Sequence, residues 1–130
     1  MVINTIFNGI TVNVELNKGV NLLSGNSGTG KTLLMQAIEL YCLNEGISYT
    51  FGKSEFANYA PEQIVSICSN SDVVLLDNAD LYITEDLLKE IKCGDKLIVI
   101  SLKISNKINI KNVREYLVNY EKMYLSLEEI

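Results

Sequence analysis

The sequence predicts an α/β fold of three layers, with a mostly parallel sheet, an antiparallel hairpin at the N-terminus and edge strands at the C-terminus. Three observations predict it. Apolar runs of strand length alternate with segments of helical periodicity, the order that builds a parallel sheet with right-handed crossovers. Two of those runs, Val73-Val74-Leu75-Leu76 and Leu97-Ile98-Val99-Ile100, contain no polar residue. Strands buried on both faces read this way. Asn8-Gly9 separates two alternating stretches, residues 2–7 and 10–16, and that dipeptide is the strongest short hairpin signal.

The remaining elements follow in order. Asn17-Lys18-Gly19 turns the chain into a short strand, Val20-Asn21-Leu22-Leu23, and a glycine-rich loop follows. Leu33, Leu34, Ala37, Ile38, Tyr41 and Cys42 then recur at helical spacing, with Gly46 as the stop. Ile47 to Phe51 reads as a strand ended by Gly52. Pro61 opens a short helix with Ile64, Val65 and Cys68 on its inner side. Thr84-Glu85-Asp86 caps a further helix that stops near Gly94. Tyr116-Leu117-Val118 and Met123 to Leu127 form the two C-terminal edge strands, joined at Tyr120-Glu121-Lys122.

Composition narrows the class. A chain of 130 residues, 48% hydrophobic and 21% charged, fits one folded domain over 1–130 rather than a disordered tail. The net charge of −5 argues against a broad nucleic-acid surface, which needs cations to displace counterions. Cys42, Cys68 and Cys93 form no CxxC pair and read as buried thiols. The absence of histidine removes imidazole general-base chemistry and the usual zinc sites. No charged N-terminal region precedes a long apolar run and no run is long enough to cross a bilayer, so the expectation is a cytoplasmic protein without a membrane partner.

The chemistry is carried by Gly25-Asn26-Ser27-Gly28-Thr29-Gly30-Lys31-Thr32. Gly25, Gly28 and Gly30 let the backbone curl so that several N–H groups point inward. The loop empties into a helix N-terminus, where unpaired N–H donors favour an anion. Lys31 can reach the β- and γ-phosphates of a nucleotide, and Thr32 offers an oxygen to a magnesium ion held by them. Asp77 ends a buried strand, where open parallel sheets collect ligands. It serves either the magnesium shell or the capping of the next turn.

Gly25–Thr32 resembles a Walker A motif and Val73–Asp77 a Walker B motif of P-loop NTPases. The layout is similar to the ATPase branch that includes AAA+, RecA-like and ABC proteins. The fold this implies is a minimal P-loop NTPase core. In that branch one extra strand lies between the P-loop strand and the Walker B strand, and Ile47–Phe51 with Pro61–Asn70 supplies that unit. The resemblance implies a polar sensor at Ser101, although a serine merely leaving a strand reads the same way.

Several positions depart from the pattern. Many such ATPases follow the Walker B aspartate with a glutamate that polarises water; here the position is Asn78, which cannot take a proton. Asp80 or Glu55, the latter at the RecA-like place, could substitute, while each also reads as a solvated surface acid. Arg114, the sole arginine, is either an arginine finger or one half of a surface ion pair. The signature segment and switch histidine of ABC proteins are missing, as is the helical lid of AAA+ proteins. Ser105-Asn106-Lys107-Ile108-Asn109 approaches the guanine-recognising Asn-Lys-x-Asp but carries Asn109 in place of the aspartate.

The expectation is therefore an ATP- and Mg2+-binding protein, a slow ATPase or nucleotide switch acting with a protein partner or a second copy of itself. A nucleotide-binding interaction module without turnover is the alternative. A nucleoside or small-molecule kinase is disfavoured, because such kinases carry an arginine-rich lid. Lys31→Ala or Gly30→Val should weaken nucleotide binding with the fold retained. Tyr116, Tyr120 and Tyr124 read as core or strand packing, or as an aromatic stripe if helical.

Overall fold

The structure is a computed structural model that describes residues 1–25, 30–91, 95–103 and 113–130. Among the described residues eight strands form one sheet: β1 (Val2–Phe7), β2 (Ile10–Glu15), β3 (Gly19–Ser24), β4 (Tyr49–Gly52), β5 (Val73–Leu76), β6 (Leu97–Ser101), β7 (Arg114–Glu121) and β8 (Tyr124–Glu129). The helices are α1 (Lys31–Glu45), α2 (Pro61–Cys68) and α3 (Glu85–Ile91), with 3-10 turns at Ser54–Asn58 and Ala79–Leu81. The spatial order is β1-β2-β8-β7-β3-β6-β5-β4. Only β1–β2 and β7–β8 pair antiparallel; the other neighbours are parallel.

The apolar runs build the layers. Along β5 and β6, Val73, Leu75, Leu97 and Val99 enter the core that α1 covers with Leu34, Met35, Ala37, Ile38 and Cys42. Val74, Leu76, Ile98 and Ile100 face the opposite core, closed by α2 and α3. Side chains alternate across a strand, so a run buried on both faces has to be apolar throughout. The β1–β2 hairpin joins the α1 side through Ile3, Val12 and Val14. Its turn residues Asn8 and Gly9 both have positive φ, 50° and 78°, the conformation that matches strand twist.

Local signals set most boundaries. Gly46 ends α1 at φ 68°, and Ile47 donates its N–H back to Cys42 O at 2.9 Å. β4 begins at Tyr49, two residues after the expected start. Pro61 opens α2, where Ala60 N–H donates to Gln63 Oε1 at 2.8 Å. The N-cap at Thr84 holds, with Leu87 N–H donating to Thr84 Oγ1 at 3.1 Å. Gly94, Cys93 and the segment Ser105–Asn109 lie outside the described residues. Cys42 and Cys68 are buried free thiols, each pushed by burial up to about 11. Among the described residues no helix is long and apolar enough to cross a membrane.

Two expectations of placement are corrected. The C-terminal strands are not at an edge: β7 pairs with β3 and β8 with β2, and the edges are β1 and β4. Their non-local pairing buries Tyr116, Val118 and Leu125, and no local pattern encodes it. Second, although β4 separates β3 from β5 in sequence, the strand between them in the sheet is β6. The chain leaves β3 through α1 on one face and returns through α2 and α3 on the other. The order therefore reverses beside β3, at the carboxyl ends where such sheets form a crevice.

Beside that crevice, Gly52 ends β4 under the ring of Phe56. A β carbon there would sit 2.5 Å from Phe56 Cε2, and Phe56 itself packs edge-on against Tyr82 with centroids 5.6 Å apart. Gly52→Ala should therefore destabilise the protein by about 1–3 kcal/mol. Urea denaturation checks this, and an unchanged midpoint would contradict the packing described.

Candidate functional site

The site forms where β3 hands over to α1. Gly25 leaves the strand at φ 131° and Gly30 enters the helix at φ 97°; between them Asn26, Ser27, Gly28 and Thr29 lie outside the described residues. A side chain at Gly30 would be strained by that φ and would need Leu125 to shift. A β carbon would fall 2.9 Å from Leu125 Cδ1 and 3.2 Å from Tyr120 Cβ. The hairpin of β7 and β8 thus packs directly on the start of α1.

Lys31 is 9% exposed, and its Nζ donates to Gly25 O at 2.6 Å and Leu102 O at 3.0 Å. The side chain spans from α1 to the first residue of the loop and to the residue after β6. Burial holds its ammonium below the ordinary lysine value, opposed by the charges of Asp77 and Asp80. A desolvated cation donating to carbonyls is well placed to gain from an arriving anion.

Thr32, one residue on, donates from Oγ1 to Asp77 Oδ2 at 3.0 Å. The other carboxylate oxygen of Asp77 accepts the Asn78 N–H at 3.2 Å. The Asp77 backbone is anchored at both ends. Its N–H donates to Gly52 O at 2.8 Å, and its carbonyl accepts the Tyr82 hydroxyl at 2.7 Å. Burial and the neighbouring acids push the Tyr82 phenol up, so it stays a protonated donor. Asp77 is itself 5% exposed and Ser101 3%. Ser101, at the end of β6, pairs in register with Leu23 of β3. Lys31, Thr32, Asp77, Asn78 and Ser101 share one open cleft of about 480 Å3, with Lys103 and Tyr120 also on its wall.

The remaining sequence candidates stand elsewhere. Glu55 is exposed on the 3-10 turn after β4, outside the cleft lining, although its charge reaches Tyr82. Asp80 is not the solvated acid that the sequence suggests. It is 8% exposed, and its Oδ1 accepts the Lys103 N–H at 3.2 Å, tying the turn after Asp77 to the end of β6. The reason is topological, since β5 and β6 are neighbours and their following turns meet. Arg114 is on the exposed start of β7, 3.7 Å from Glu129, and forms a surface ion pair rather than a cleft residue. Tyr116, Tyr120 and Tyr124 lie on strands, with Tyr116 buried and Tyr124 accepting from Asn13 Nδ2 at 3.0 Å. Tyr120, Tyr82 and Lys103 are the site residues that sequence reasoning missed. Only the alternation Tyr116, Val118, Tyr120 along one strand face hinted at the first.

The donor set fits magnesium brought in by a polyphosphate. One hydroxyl and one carboxylate converge within hydrogen-bond distance, and among the described residues no group of three acids, cysteines or histidines makes a metal cage. Magnesium is commonly held in this manner, by one or two protein oxygens together with substrate phosphates.

No family model matches the sequence, and no curated protein matches it. Solved structures do. A DNA replication initiation factor is similar at 19% identity and a TM-score of 0.55, over 68% of this chain and 32% of that one. The replication initiator DnaA bound to AMPPCP and single-stranded DNA is similar at 18% identity and a TM-score of 0.55, over 66% of this chain and 32% of that one. The flagellar accessory protein FlaH from Methanocaldococcus jannaschii is similar at 12% identity and a TM-score of 0.55, over 82% of this chain and 74% of that one. This chain thus spans about a third of the length of the replication initiators. At these identities the likeness establishes the fold: an α/β P-loop NTPase architecture with a mostly parallel sheet and added antiparallel strands.

Proposed function

We propose that the chain binds ATP with Mg2+ in the cleft and works as a slow ATPase or nucleotide switch together with a protein partner or a second copy of itself. The observation that carries this reading is the contact of Thr32 Oγ1 with Asp77 Oδ2, at 3.0 Å, beside the buried Lys31. It brings the two ends of the sequence argument, the glycine-rich loop and the buried aspartate, into one place. DnaA, about a third of which is similar to this chain in fold, is seen with the ATP analogue AMPPCP, and that supports a nucleotide as ligand.

In this reading Gly25 to Thr32 cradle the phosphates and Lys31 exchanges its two carbonyl partners for phosphate oxygens. Thr32 and Asp77 supply protein oxygens to the metal. When bound, the magnesium ion neutralises charge on the β- and γ-phosphates. Ser101 stands on the cleft wall as the sensor candidate. The non-hydrolysing interaction module remains the second reading, favoured by Asn78 in the cleft, at the position where many of the ATPases that the sequence resembles carry a glutamate.

Asp77→Asn tests the metal role. Titrating ATP with and without magnesium should show a metal-dependent gain in affinity for the wild type and its loss in the variant. An intact gain in the variant would remove Asp77 from the metal site. ATP should also bind at least as well as GTP, because no Asn-Lys-x-Asp carboxylate is present to pair with guanine. A competition titration won by GTP by more than about tenfold, ~1.4 kcal/mol, would overturn that expectation.

A further inference from the structure

The cleft has two unlike flanks. On one side of β3, beyond β6, β5 leads into Asp77; on the other side β7 is its immediate neighbour and carries Tyr120. With strands about 4.8 Å apart, these flanks are separated by roughly 14 Å. Thr32 and Asp77 occupy the first flank with oxygen ligands suited to a metal and the outer phosphates. The cleft continues from there past Lys31 and Gly30 to Tyr120, which gives a nucleotide anchored by its terminal phosphates a course for its nucleoside away from Asp77.

Tyr120 stands at that second flank. It is 38% exposed and is the one aromatic among the described residues that line the cleft. Its position is fixed. The β carbon packs against Gly30, 3.2 Å from where a side chain there would begin, and the hydroxyl donates to Met123 Sδ at 3.5 Å. The hairpin tip that holds it is itself tied down, with Thr11 N–H donating to Met123 O at 2.8 Å. Lys122 and Met123 keep positive φ of 51° and 61° there. A two-residue hairpin turn takes that conformation at both positions.

We propose that Tyr120 is the nucleoside wall of the cleft and stacks its ring on the base of the bound nucleotide. The proposal rests on the phosphate-binding reading above and adds a specificity residue to it. Stacking on a phenol ring suits every base, since each has a π-face. Tyr120 therefore distinguishes a nucleotide from a bare polyphosphate, not adenine from guanine.

The test is calorimetric titration of wild type, Tyr120→Ala and Tyr120→Phe with magnesium–ATP and with magnesium–tripolyphosphate, which carries the phosphates but no nucleoside. Tyr120→Ala should weaken ATP by about 5- to 150-fold, the usual range for a lost base–aromatic stack, and leave tripolyphosphate affinity unchanged. Tyr120→Phe should keep ATP affinity close to wild type. Unchanged ATP affinity in Tyr120→Ala overturns the proposal. Equal weakening of both ligands also overturns it, because the effect then comes through the loop or the fold. If wild type binds tripolyphosphate as tightly as ATP, the nucleoside wall is absent while phosphate binding stands. If wild type binds neither, both readings fall.

Discussion

Replacing Lys31 with alanine should weaken magnesium–ATP binding by a factor of about 30 to several thousand, with the fold retained. The range corresponds to the ~2–5 kcal/mol lost when one member of a buried, hydrogen-bonded charge pair is removed. Lys31 is buried; its Nζ donates to two carbonyls, and Asp77 and Asp80 act on its charge without ion-pair contact among the described residues. A triphosphate would be its first close anion. Alanine is the best helix former and the position opens α1, so thermal unfolding should shift little. Gly30→Val is the poorer test, against the sequence-level expectation that its fold survives. At φ 97°, with Leu125 and Tyr120 against it, valine would displace the β7–β8 hairpin and confuse binding with folding.

Binding also carries a pH signature. Burial lowers the Lys31 pKa from 10.5, and bound phosphates would raise it again. Affinity gained in this way is fully present below the free-state pKa and is lost as pH rises from there through the higher bound-state pKa. Lys31→Ala should remove that alkaline loss.

Turnover is the second large effect expected. A missing general base costs ~10²–10⁴ in rate and a missing arginine finger ~10³–10⁵. Asn78, whose amide cannot take a proton, lines the cleft, and Arg114 is paired with Glu129 away from it. The protein alone should therefore hydrolyse ATP far below the ~10 s⁻¹ typical of enzymes. Glu55→Gln in a phosphate-release assay tests the RecA-like base, with loss of the residual activity expected if Glu55 activates water from its neighbouring strand end. Asp80→Asn is expected to act through structure, because Asp80 accepts the Lys103 N–H beside the end of β6. Asn78→Glu carries its own cost. Asn78 is left-handed at φ 50°, where asparagine is tolerated better than glutamate. Fast hydrolysis by the protein alone, insensitive to Glu55→Gln and Asp80→Asn, would contradict this account of the catalytic side.

The fold was legible where a single stretch of chain carries its own physics. The two apolar runs declare strands buried on both faces, Asn8-Gly9 declares a turn with two positive φ values, and Pro61 and Thr84 mark helix starts. Long-range pairing was not legible. Nothing local in Tyr116 to Glu121 says that β3 will be its partner, so β7 and β8 read as edges although β1 and β4 hold those places. The same limit applies to the site. Thr32 and Asp77 belong to strand ends and helix starts that any parallel sheet gathers at one rim, so their meeting could be anticipated. The burial of Asp80 and the place of Tyr120 depend on which strands become neighbours, and the sequence is silent on that.

The central claim is that the cleft takes the phosphates of a nucleoside triphosphate. Calorimetric titration of the wild-type protein with ATP and AMP, each with and without magnesium, tests it most directly. The account predicts that ATP binds more tightly than AMP and that magnesium widens the difference through Thr32 and Asp77. No binding of ATP, or equal affinity for ATP and AMP whether or not magnesium is present, would contradict it.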